Sequence, residues 1–165
     1  MKFIYQVILY LCVSCLVSCV HPSVEQLLSE AEAKVEQWPD STLALLYHQP
    51  VDEWSAEQRA RCALLMTQAS HRMRKADLFG DTLIDVAVDY YSQIDKPSRY
   101  QGRAFFYQGI RREFRGDIEG AVSSLLKARQ ALSSVDDPHF LGMTFERLGD
   151  IYYTQQLYER ALDCY

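Results

Sequence analysis

The chain is expected to be all-α, built of antiparallel helical hairpins stacked one upon the next, and three observations predict this. Gly109 and Gly149 are 40 residues apart, and so are Ala121 and Ala161, two unrelated residue types at one offset. Ser-x-x-Gln occurs at 23–26, 55–58 and 98–101, each time ahead of apolar residues at helical spacing. No stretch alternates apolar and polar residues with the period of a strand. A single hairpin cannot bury its apolar face alone, so a period of this size implies neighbours that cover it.

The bulk numbers suit one such stack. Of 165 residues, 48% are hydrophobic and 24% charged, enough for a core and ordinary in charge. Seven glycines and five prolines punctuate helices. The net charge is −5, and because residues 1–18 contribute only Lys2, the remainder carries −6. That balance offers no footprint for a nucleic-acid backbone, so no nucleic-acid partner is expected.

Residues 1–18 read as an export leader: Lys2 is the positive start, and the apolar run from Phe3 to Leu16 is interrupted at Gln6 and Ser14. The run is short for a bilayer span, leaving a cleaved leader, a plain secretory signal and an uncleaved anchor as readings. Residues 19–22 are a tether. Residues 23–50 make an N-terminal capping hairpin. Ser23 and Gln26 form a capping box, and Leu27, Leu28, Ala31 and Val35 share one face. Pro39 is expected to stop this helix and Asp40 or Ser41 to cap the next, which runs to about His48 before Pro50.

Residues 55–95 form a degenerate hairpin. Ser55 and Gln58 box its start, with Trp54 as a hydrophobic staple. Its first helix extends to about Lys75 with Leu64, Leu65 and Ala69 inward. Gly80 or Asp81 opens the second, with Ile84, Ala87, Val88 and Tyr91 inward. Residues 98–134 and 137–165 are the two clearest repeats. Gly116-Asp117 turns between the helices of the first, with Gly116 left-handed, and Asp136-Asp137-Pro138 opens the second. The chain ends within a second helix, so the natural protein is expected to continue beyond Tyr165.

These positions resemble the tetratricopeptide repeat. With Gly102 and Gly142 as first positions, Phe105 and Phe145 fall on the family's fourth position. Gly109 and Gly149 fall on the small eighth, and Ala121 and Ala161 on the small twentieth. The later copy also carries Leu148, Tyr152, Tyr158 and Tyr165, whereas the earlier has Gln108 and Arg112 where Leu and Tyr are usual. The period exceeds the family's about 34 residues, implying longer loops. The resemblance implies a right-handed α-solenoid. Likewise Leu16-Val17-Ser18-Cys19 resembles the lipobox of bacterial lipoproteins, implying cleavage before Cys19, diacylglycerol on its sulfur, and, with Val20 following, outer-membrane retention in the cell envelope.

Of five cysteines, Cys12 and Cys15 lie in the leader and Cys19 would carry lipid. Cys62 and Cys164 sit in different hairpins and are expected to be unpaired, small buried hydrophobes. There is no phosphate loop, nucleophile elbow or His-Glu-x-x-His, and the four histidines share no ligand spacing. Asp136-Asp137 reads as a helix cap rather than a cation loop. Neither an enzyme nor a cofactor or metal site is expected.

Binding is expected instead. The repeat's groove positions, carried over by resemblance, are Arg103, Phe106, Ile110, Glu113 and Phe114, then Met143, Glu146, Asp150, Tyr153 and Thr154. Phe106, Phe114 and Tyr153 are expected to be exposed there as anchors, with Glu113, Glu146 and Asp150 favouring a partner with basic or neutral residues. A second feature is a basic set, His71, Arg72 and Lys75, recurring as Arg111, Arg112 and Arg115. It either grips an anion or pairs with Asp81, Asp117 and Glu119 at the hairpin turns. The expected function is a lipid-anchored scaffold binding a protein or peptide in the envelope. The alternatives are a membrane-tethered regulator with its output segment beyond Tyr165, and a carbohydrate-capture lipoprotein of the starch-utilisation type.

Overall fold

The structure is a computed structural model and describes residues 23–75 and 82–165. The leader, the segment 16–19 with its Cys19, and Gly80 and Asp81 lie outside the described residues. The described residues are all-helical: α1 (Val24–Lys34), α2 (Pro39–Leu46), α3 (Ala56–Arg72), α4 (Thr82–Tyr91), α5 (Arg99–Phe114), α6 (Ile118–Leu132), α7 (Pro138–Thr154) and α8 (Tyr158–Leu162), with a 3-10 turn at Val51–Glu53. None of these helices is long and apolar enough to cross a membrane.

Local chemistry sets most of the helix starts. Ser23 and Gln26 form the expected reciprocal box, as do Ser55 and Gln58, each pairing one backbone N–H with the other's side chain. At the third Ser-x-x-Gln only half forms. The Gln101 amide N–H is received by Ser98 Oγ, but the Gln101 side chain donates to the carbonyls of Tyr91 and Ile94, at 2.9 and 3.0 Å. That glutamine ties α5 to the end of α4 instead of closing its own cap. Asp117 and Asp137 cap α6 and α7.

Two boundary expectations are corrected. Pro39 does not stop the first helix; it opens the second at its first position, after α1 has ended at Lys34. Its fixed φ suits that place, and Asp40 joins the first turn rather than capping it. Trp54 is buried, but the residue a staple would pair it with is Arg59, whose Nη1 donates to the Trp54 carbonyl at 2.6 Å.

The long odd-numbered helices share one ending. Beyond α3, α5 and α7 a left-handed residue follows: Arg74 (φ 56°), Gly116 (φ 79°) and Gln156 (φ 61°). In each, the next N–H returns to the carbonyl of the helix's third-last residue: Lys75 to Ser70, Asp117 to Arg112, Leu157 to Tyr152. This is the Schellman ending, and it closes α3 at Arg72 rather than at Lys75.

Each helix packs on its neighbour in sequence, and the odd-numbered helices also touch one another in order, α1 on α3, α3 on α5 and α5 on α7. Helix α3 has two apolar faces. Cys62, Leu65, Met66 and Ala69 join a core with α1, α2 and Trp54, while Ala60 and Leu64 join a larger one with α4 to α7. Thr42, fully buried, stitches α1 to α2 by donating to the carbonyls of Ala31 and Trp38. In the larger core, a Cβ on Gly109 would stand 2.7 Å from Leu125 Cγ and 3.3 Å from the Ala121 carbonyl, so α5 and α6 touch at the two small residues singled out above. A Cβ on Gly102 would meet Leu132 Cγ at 2.5 Å, a second close approach, whereas Gly142 has open space. Cys62 and Cys164 are free thiols. Cys62 is buried as expected, its pKa pushed up to about 11 by burial, but Cys164 is only half-buried.

Candidate functional site

The groove set divides once its side chains are located. Phe106 is 2% exposed, which corrects the expectation that it is a free anchor. Its ring packs edge-on against Tyr107 and Phe140, with centroids 5.2 and 5.5 Å away. The physical cause is Phe140, carried over α5 by the first turn of α7. Arg103 is pinned as well. Its Nε meets Asp137 Oδ2 at 2.7 Å, its Nη1 lies 3.5 Å from Glu32 Oε1, and its guanidinium sits 4.6 Å from the centre of the Phe140 ring. Both residues hold α5 to its neighbours. Met143 is half-buried against the same core.

Other members remain accessible. Phe114 is 70% and Tyr153 62% exposed, Tyr153 edge-on to Tyr158. Glu146 and Asp150 are exposed, Asp150 receiving the Tyr165 hydroxyl at 2.8 Å. Ile110, Glu113 and Phe114 form one wall of a cleft of about 390 Å³. The opposite side is supplied by His71 and Arg74 at the end of α3, with Arg111 from α5 and Arg147 from α7 completing the lining. Three consecutive odd-numbered helices thus contribute to one lining, in which Arg147 lies 3.6 Å from the Glu113 carboxylate.

The basic set is only partly gathered here. His71 and Arg111 line the cleft, but Arg72 pairs with Glu36 at 2.9 Å and Arg112 donates to the Gly120 carbonyl at 3.2 Å. Arg72 and Arg112 thus bond groups other than the turn acids expected; Asp117 caps α6, and Asp81 is outside the described residues. Arg74 and Arg147 escaped the sequence reading. Arg74 sits between two selected residues, yet its counterpart 40 residues on is Phe114. Arg147 has Tyr107 at that offset, so no repeat comparison singles it out.

His71 lies edge-on to Tyr107, and its pKa is lowered from 6.5, first by burial and then by the charges of Arg147 and Arg72. It is therefore a neutral donor and acceptor at pH 7. A broader groove of about 1050 Å³ runs between α6 and the end of α7, with Val122, Leu126, Ile151 and Leu157 among its lining residues. Among the described residues, no group of three or more His, Cys, Asp or Glu side chains is arranged to hold a metal ion. No protein-family model matches the chain, and neither a curated protein nor a solved structure matches it.

Proposed function

We propose that this chain is a lipid-anchored scaffold of the cell envelope, a tetratricopeptide-like right-handed α-solenoid that binds a protein or peptide along its odd-numbered helices and performs no catalysis. The observation that carries the reading is Phe114. Its ring is 70% exposed in the wall of a cleft that three successive helices build. A large aromatic left open at a concave junction is the usual form of an interface anchor. The unbroken row of odd-numbered helices supports the stacked-hairpin architecture, as does the Schellman ending that three of them share. The anchor part rests on the resemblance of residues 16–19 to a lipobox, with outer-membrane retention following from Val20.

The binding claim is tested with a photo-crosslinking amino acid in place of Phe114, and separately in place of Val86, an exposed apolar residue on α4. In native envelopes a discrete crosslinked partner is expected at 114 and not at 86. Equal crosslinking at both positions, or none at 114, would overturn the reading. The anchor claim is tested by Cys19→Ala, which should abolish incorporation of a fatty-acid probe; unchanged incorporation would exclude lipidation at Cys19.

A further inference from the structure

The broad groove along α6 and the N-terminal hairpin carry opposite charge, and we propose that the groove receives the outer face of α2 from a second copy of this chain. Asp40, Asp52 and Glu53 of that copy meet Lys127, Arg129 and Arg160 at the groove rim. The contact requires neither the lipid anchor nor the cleft at Phe114, so it goes beyond the scaffold reading.

The groove of about 1050 Å³ has an apolar floor. Ile118, Val122 and Leu126 lie four residues apart along α6, so they share one face, and each is half-buried; Leu157 beside them is 44% exposed. Lys127, Arg129 and Arg160 line the groove, with Glu119 as the one acid among the lining residues. The three cations rest over the rings of Phe105, Phe145 and Tyr152, at 5.7, 6.0 and 5.9 Å, and none of their charged groups makes a hydrogen bond or ion pair with a described residue. The N-terminal hairpin is the reverse. Residues 23–54 carry seven carboxylates against Lys34, a formal −6, whereas residues 55–165 balance. Glu25, Glu30, Glu32 and Glu36 are held by Arg61, Lys34 and Arg72. Asp40, Asp52 and Glu53 are exposed and make no such pair. Asp40 precedes and Asp52 and Glu53 follow an outer face of α2 on which Ser41 and Ala44 are exposed, small enough for a second helix to approach closely. Trp38, at the start of α2, is 54% exposed. Eight residues of helix span about 12 Å, which is both the length of α2 and the distance from Ile118 to Leu126. Within one copy α2 packs on α1 and α3, so the face that enters the groove comes from another. A contact between two unlike surfaces adds copies head to tail.

Sedimentation velocity of the purified full chain in density-matched detergent tests this. The chain should form species heavier than the monomer at about 50 mM salt and fall toward the monomer at about 500 mM, where rim charges are screened. Arg129→Glu with Arg160→Glu, and separately Asp52→Lys with Glu53→Lys, should each weaken self-association at least about tenfold, because like charges then face one another. Both variants should melt like the parent, since all four side chains are exposed. Mixed in equal amounts, the two variants should assemble again, because each reversed surface then meets its complement. A photo-crosslinking amino acid in place of Trp38 should join that position to residues 118–130 of another copy. A parent that is monomeric at low salt, a mixture that stays apart, or a crosslink to another part of the chain would overturn the inference. Association that ignores salt and both reversals would belong to the leader or the detergent and would overturn it equally. A monomeric parent that still crosslinks a partner from position 114 would leave the scaffold reading standing and remove this contact.

Discussion

Beyond its apolar core, helix α1 is fastened to α3 and α5 through carboxylates, whereas α5 meets α7 through a cluster of rings. On the first side Glu32 is the hub. It meets Arg61 Nη2 at 2.9 Å and receives the Tyr100 hydroxyl at 2.9 Å, with Arg99 and Arg103 at 3.4 and 3.5 Å. Glu36 similarly collects Gln68 and Arg72. On the second side Phe140 receives Phe106, Tyr107 and the face-on guanidinium of Arg103. The two kinds of junction differ in what they demand of the sequence. Ring and glycine contacts need particular sizes at particular places. Ion pairs between long side chains tolerate several placements and are individually weak where solvent reaches them.

The largest test of that contrast is Phe106→Ala. It should cost about 3–5 kcal/mol by emptying a filled aromatic site, read by urea denaturation. Phe114→Ala, the same chemical change on the exposed ring, should fall within about 0.5 kcal/mol of the parent. Equal losses would mean that α7 does not cover α5 as described.

Next is Gly109→Leu, expected to cost about 1–3 kcal/mol because α5 and α6 must separate. The same change at Gly149 should cost less. The added carbon there would meet the Tyr165 ring at 2.7 Å, and that ring is 70% exposed and able to move outward. A Gly149 variant as damaged as Gly109 would show that Tyr165 is held more firmly than its exposure suggests.

On the carboxylate side, Glu32→Gln keeps the shape and removes the charge. Its side chain is 16% exposed, so the loss should be about 1–2 kcal/mol, below the about 3–5 kcal/mol of a fully buried pair broken from one side. Glu25→Gln, at a carboxylate 63% exposed, should cost almost nothing. If both substitutions were silent, the α1–α3 junction would rest on its apolar core alone.

The same contrast explains what could be read in advance. Capping boxes at 23–26 and 55–58 were legible because both partners lie within one turn. Gly109 and Ala121 were legible because close backbone approach admits few residue types. Phe106 was misread because its exposure depends on where the next hairpin's Phe140 lands, which spacing within one repeat does not specify. Glu32 went unnoticed because its partners are 29 to 71 positions away and follow no period. The cleft was half legible: Phe114, Ile110, Glu113, His71 and Arg111 were singled out, but their convergence with Arg74 and Arg147 is a tertiary fact. Gln156 occupies the same left-handed position on α7, so the conformation of Arg74 alone would not have marked it.

The smallest expected effect is a pH slope at the boundary between the two regions. His71 is on α3, with Arg72 on its own helix, Tyr107 facing it from α5 and Arg147 acting from α7. Burial and the two guanidinium groups lower its pKa in the folded chain, so the unfolded chain binds its proton first as the pH falls. The stability this provides is complete above the unfolded value of 6.5 and is lost progressively below it, until the folded imidazole also takes up a proton. The check is the difference in unfolding free energy between about pH 7.5 and about pH 5.5, measured for the parent and for His71→Gln. Other groups contribute to both proteins, so the diagnostic quantity is the part of the slope that disappears in the variant. A smaller acid-side loss in His71→Gln supports a neutral His71 among cations. An identical or steeper loss would mean that a counter-charge already accompanies the imidazole.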